Sequence, residues 1–135
     1  MSLVGYQMLI ATGAVADMET CRSRDAYAAA TISAHLRELR GDPTICARII
    51  DEHYADAVIA DVGPVWSLQE KRINAFRVKY VVLGRWRLIT GADWAKRRIA
   101  ILAVMPRDVD YQRNRPLWER IEKEYDELGF PRLGG

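Results

Sequence analysis

Between Arg24 and Arg40 the apolar positions recur at helical spacing. Ala28, Ile32, Leu36 and Leu39 fall at i, i+4, i+8 and i+11, which predicts a helix with one buried face. Gly41 supplies a stop, and Asp42-Pro43 offers an N-cap followed by a first-turn proline. A second helix is therefore expected to about Tyr54, with Ile45 and Ile49 inward, and the short turn makes the pair a hairpin. From Phe76 the period drops to two. Phe76, Val78, Tyr80 and Val82 share one face while Arg77 and Lys79 take the other. After Gly84, Trp86 and Leu88 alternate with Arg85, Arg87 and Ile89. "GADWAK" is read as the next turn, and the apolar run from Ile99 as a buried third strand ended by Pro106. Strands joined by such short links form an antiparallel meander. "GYQMLIA" near the N-terminus is read as a further strand. Trp118, Ile121, Tyr125 and Leu128 mark a last helix over 116–128, with Gly129 at its C′ position.

These elements predict one α+β domain over residues 1–135. An N-terminal helical hairpin packs on a small, mainly antiparallel twisted sheet, a three-strand meander plus the N-terminal strand, with a C-terminal helix. Half of the 135 residues are hydrophobic, enough for a core of this size. No apolar stretch approaches the ~20 residues of a membrane span, and no signal-peptide pattern opens the chain. Cys21 and Cys46 form no CxxC pair and are expected as buried thiols. A cytoplasmic protein without membrane contact is the expectation.

Charge alters this plain picture. The net charge is only +2, yet residues 66–115 carry +8, between −4 over residues 1–65 and −2 over residues 116–135. A localised electropositive surface follows if the strands share a register that gathers Arg77, Lys79, Arg85 and Arg87. A solvated charged face is the plainer alternative. A DNA-reading helix-turn-helix is disfavoured, because the second predicted helix sets Arg48 against Asp51 and Glu52.

Conventional catalytic kits are missing. His35 and His53, the only histidines, have no Cys/His/carboxylate set at metal spacing, so no metal is expected, and no cofactor motif occurs. His35, beside the apolar face, is read as a packing residue. Any site here would be built from arginine, lysine and tyrosine.

That residue set has a pattern. "FRVKYVVLGRWRLITGADWAKRRIAILAVMPRDVDY", residues 76–111, holds a basic strand, a Gly turn, an aromatic-Arg-aliphatic strand and an apolar strand ending in Arg107, with Tyr111 four residues on. It resembles the RelE/ParE superfamily of bacterial type II toxins, most nearly the RelE-type ribosome-dependent mRNA interferases. The resemblance covers roughly residues 4–115 and is strongest from 66. Two departures stand out: Met105-Pro106 precede the terminal Arg107, and the chain adds N-terminal sequence and a final helix.

The resemblance implies an endoribonuclease cleaving translated mRNA by 2′-hydroxyl attack. Arg87 and Arg107 would clamp the scissile phosphate. Tyr111 would transfer a proton or stack on a base, and Lys79, with Arg77, would serve as base or electrostatic partner. Arg85, Lys96, Arg97 and Arg98 would contact RNA more generally. The implied partners are mRNA, the ribosome and an acidic antitoxin. A ParE-like gyrase inhibitor without nuclease chemistry and a non-catalytic nucleic-acid-binding module are the competing classes. Structural readings stand beside each role: Arg107 paired with Asp108 or Asp110, Tyr111 as packing, Arg87 in a cation–π pair with Trp86, and Lys79 as a solvated strand residue.

Overall fold

A computed structural model describes residues 3–108 and 114–134. The chain runs β1 (Gln7–Ile10), α1 (Thr12–Arg24), α2 (Ala26–Arg40), a 3₁₀ turn (Cys46–Ile50), β2 (Ile59–Pro64), α3 (Trp66–Gln69), β3 (Ala75–Tyr80), β4 (Trp86–Asp93), β5 (Arg98–Pro106) and α4 (Arg115–Glu127). The five strands form one sheet in the order β1-β5-β4-β3-β2. β1 runs parallel to β5, and the remaining pairs are antiparallel. The expected α+β architecture is observed, with its meander, N-terminal strand and C-terminal helix.

Alternation within the strands gives the sheet two different faces. Val78, Tyr80, Trp86, Leu88, Ile99 and Ile101 pack with α1, α2 and the 3₁₀ turn. Ala75, Ile89, Ala100, Leu102, Ala103 and Met105 meet Trp118, Ile121 and Tyr125 of α4 on the other. Cys21 and Cys46 are buried and free, and His35 is buried against Tyr80, its Nδ1 2.9 Å from the phenol oxygen.

The helical pair is α1 with α2, not α2 with a helix over 43–54. That second segment is only the Cys46–Ile50 turn. Tertiary partners take the groups a helix would use: the Ile49 carbonyl accepts from Thr90 Oγ1, and the His53 N–H donates to the Val62 carbonyl. Helix α1 buries only Gly13, Ala14 and Cys21, so it carries no apolar stripe to betray it. No side chain of its own caps its start. Glu124 of α4 accepts the Gly13 N–H at 2.8 Å instead.

The turn read at "GADWAK" also moves. β4 continues through Gly91, Ala92 and Asp93, and the chain reverses over Trp94–Arg97, with Arg97 at φ 53°. Gly91 belongs in the strand because α4 lies against it: a Cβ there would stand 3.1 Å from Leu102 and 3.4 Å from the Tyr125 ring. Val82, assigned to the apolar face, follows the end of β3 and is 64 % exposed.

Helix α4 is held at both ends. Asn114 caps it by accepting from Leu117 N–H, and Gly129 at φ 78° follows its end. Beyond β1, the open edge of β5 is closed by side chains. Asp17 accepts from the Val104 N–H, and Arg120 donates to the Leu102 carbonyl while pairing with Asp17 at 2.8 Å. No helix among the described residues is long and apolar enough to cross a membrane.

Candidate functional site

The register of the sheet places the predicted cations. Asp61, Lys79, Arg87 and Met105 are successive partners across β2, β3, β4 and β5, so they form one rung on the α4-bearing face. The next rung is Gly63, Arg77, Ile89 and Ala103. One residue past β5, the Arg107 N–H donates to the Arg85 carbonyl, bringing that pair beside the first rung. Lys79, Arg87 and Arg107 line a common cavity of about 240 Å³ at this end of the sheet. The alternation that buries Phe76, Val78 and Tyr80 forces Arg77 and Lys79 to the opposite face.

Helix α4 lies over the β4–β5 side of this face, on Ala75, Gly91, Leu102 and Met105. Among the described residues the part holding Lys79, Arg87 and Arg107 is the more open one, with Lys79 and Arg87 half-buried and Arg107 exposed. Helices α1 and α2 lie behind the sheet, packed on its other face, and are not acidic: α1 sets Asp17 and Glu19 against Arg22 and Arg24, and α2 sets Glu38 against Arg37 and Arg40.

The electrostatics of the open half follow from this crowding. Lys79 and Arg87 face each other directly, and like charges so placed destabilise a sheet. Among the described residues the sole ion pair here is Arg77–Asp61, at 3.9 Å. Arg77 Nε and Arg87 Nη1 are buried and have no hydrogen-bond partner among the described residues. The Lys79 ammonium is pushed below the usual lysine range, first by desolvation and then by Arg77 and Arg87. Arg107 adds to the push and Asp61 opposes it.

Other predicted residues lie elsewhere. Lys96, Arg97 and Arg98 sit around the β4–β5 turn, at the opposite end of a strand spanning roughly 25 Å at about 3.3 Å per residue. Arg98 is occupied there: it pairs with Asp93 at 2.7 Å and donates to the Leu128 and Gly129 carbonyls, closing the end of α4. Arg97 donates to the Val4 carbonyl, and Lys96 is exposed. Tyr111 and Asp110 lie outside the described residues. Arg107 is exposed and makes no ion pair with Asp108. The cation stacked on Trp86 is Arg24, 5.8 Å from the ring, not Arg87.

Asp61 and Gly63 were missing from the sequence reading because β2 itself was. A strand containing Gly63 and Pro64 looks like a turn until it is seen at the edge of a sheet, where proline is tolerated.

A site of this composition can bind a phosphate by paired N–H donors and stabilise extra negative charge on it. No group of three or more His, Cys, Asp or Glu side chains among the described residues is placed to hold a metal ion. No protein-family model matches the chain, and searches of curated proteins and of solved structures return no match.

Proposed function

We propose that this chain is the toxin of a type II toxin-antitoxin pair, a RelE-like ribosome-dependent endoribonuclease that cleaves translated mRNA. The observation that carries the reading is the rung itself. Lys79 and Arg87 sit opposite each other with Arg107 on the same cavity, and one edge carboxylate is the sole acid set against them among the described residues. Such a cluster costs the fold stability and gains it back when an anion enters.

The chemistry is phosphoryl transfer within the RNA strand. The 2′-oxygen attacks the adjacent phosphorus as its proton leaves, the new O–P bond forms, and the bond to the 5′-oxygen breaks as that oxygen takes a proton. Arg87 and Arg107 would stabilise the charge growing on the phosphorane. Lys79, lowered in pKa by desolvation and neighbouring guanidiniums, is the candidate to accept the 2′-hydroxyl proton. Tyr111 remains the candidate for proton transfer at the leaving oxygen or for stacking on a base. The same open face would attract the acidic antitoxin, so inhibitor and substrate would compete for it.

Induced expression in bacteria tests the reading. The wild type should arrest growth and leave cleaved transcripts with mappable ends, and Arg107→Ala should abolish both. Arrest accompanied by DNA damage with intact transcripts would indicate gyrase as the target. A harmless wild type would leave a non-catalytic binding module.

A further inference from the structure

The open face contains a carboxylate that the proposed chemistry does not use. Asp61 belongs to the edge strand β2, faces Lys79 across the sheet, and lies 3.9 Å from Arg77 Nη2. The two side chains meet over Gly63. A Cβ at that position would stand 3.2 Å from Arg77 Nη2 and 3.8 Å from Asp61 Oδ2, so the bare glycine leaves the guanidinium its path across β2. Arg77 Nε is buried along that path without a partner among the described residues, so Asp61 is what anchors the far end of the side chain. Around Lys79 the facing charges are Arg77 on its own strand, Arg87 on β4, Arg107 beyond β5 and Asp61 on β2. Among the described residues Asp61 is the single negative one.

We propose that Asp61 is a positioning residue of the basic face, one that holds Arg77 across β2 and limits how strongly the face draws a polyanion. The proposal rests on the reading of this face as a phosphate site. Physically, a carboxylate beside two cations cancels part of their field, and an entering phosphate must compete with it for Arg77. The face is thereby kept from binding every nucleic acid backbone it meets, and ligands offering more than a bare phosphate are favoured.

Asp61→Asn tests this at constant size. The probe is a single-stranded oligonucleotide with 2′-deoxy substitution, which lacks the attacking hydroxyl and reports binding alone. In Asp61→Asn the affinity at low salt should rise roughly three- to tenfold, the worth of one nearby charge in solvent-screened surroundings. The slope of log affinity against log salt should steepen by about 0.7, as for one additional phosphate contact. Titration of the Lys79 side chain, followed by NMR, supplies a readout free of ligand. Its midpoint should fall once Asp61 no longer opposes the neighbouring guanidiniums, and Asp61→Glu should restore both midpoint and slope. A midpoint and salt slope that stay in place in Asp61→Asn would overturn the role of Asp61. An oligonucleotide that fails to bind the wild-type chain at low salt would instead overturn the phosphate reading of the face.

Discussion

One face of the sheet is divided into two halves made by the same strands. In the half under α4 the inward positions include Ala75, Gly91 and Ala100, small enough for a helix to lie on. A few residues along, the same positions become Arg77, Lys79 and Arg87, long and cationic. The arginines of the covered half are largely occupied by the protein itself. Arg98 holds Asp93 and two carbonyls, Arg120 holds Asp17 and the Leu102 carbonyl, and Arg132 holds Glu122, Asp126 and the Lys71 carbonyl. Those of the open half are less so: Arg87 Nη1 and Arg77 Nε are buried without a hydrogen-bond partner among the described residues, a condition that Arg120 Nε shares in the covered half, though it lies 3.4 Å from the Glu124 carboxylate. An arginine whose donors are filled by its own protein maintains the fold. On the proposed reading, one held by the sheet with donors unfilled is available to an anion from outside.

The sharpest way to break this contrast is to treat the two kinds of arginine alike. Asp93 is 1 % exposed, so Arg98→Ala strands a buried carboxylate and should destabilise the protein by about 3–5 kcal/mol in a urea melt. Gly91→Ala intrudes on Leu102 and the Tyr125 ring and should cost about 1–3 kcal/mol by lifting α4. Tyr125→Phe removes the hydroxyl that donates to the Pro131 carbonyl and should cost about 1 kcal/mol. In the open half, Arg87→Gln should leave stability within about 0.5 kcal/mol of wild type, because it relieves a like-charge pair and removes no internal bond. A loss as large as that of Arg98→Ala would erase the distinction.

Acid titration sharpens it from behind the sheet. Burial lowers the pKa of His35, which is bonded to Tyr80. The unfolded chain then binds the extra proton first, so this contribution to stability is full above pH 6.5 and is lost as pH falls through the folded value. Replacing His35 by Gln should flatten the thermal-stability profile in that window. Lys79 follows the same sign at the alkaline end: its lowered pKa makes stability rise with pH toward 10.5, a slope that Lys79→Met should remove.

Much of this arrangement was legible in the chain. Period-two alternation, short turns and a Pro stop revealed β3, β4 and β5, while the register that sets Arg87 opposite Lys79 comes only from the sheet itself. The spacing of Trp118, Ile121 and Tyr125 revealed α4. Helix α1 was hidden because its buried residues are small and its cap comes from Glu124, over a hundred positions away in sequence. β2 was hidden by Gly63 and Pro64, and with it Asp61. Arg87 and Arg98 look alike as letters in a basic stretch. What separates them is the partner set, which only the packing of α4 and the burial of Asp93 decide.

The central claim is that the cations of the open half act on a phosphate. Single-turnover cleavage on programmed ribosomes, with ribosome binding measured separately, tests it most directly. Arg107→Ala should slow the chemical step by roughly 10²–10³-fold, as for loss of one charge-stabilising donor, while ribosome binding changes little and the melting curve stays in place. An Arg107→Ala protein that cleaves at the wild-type rate would contradict the account.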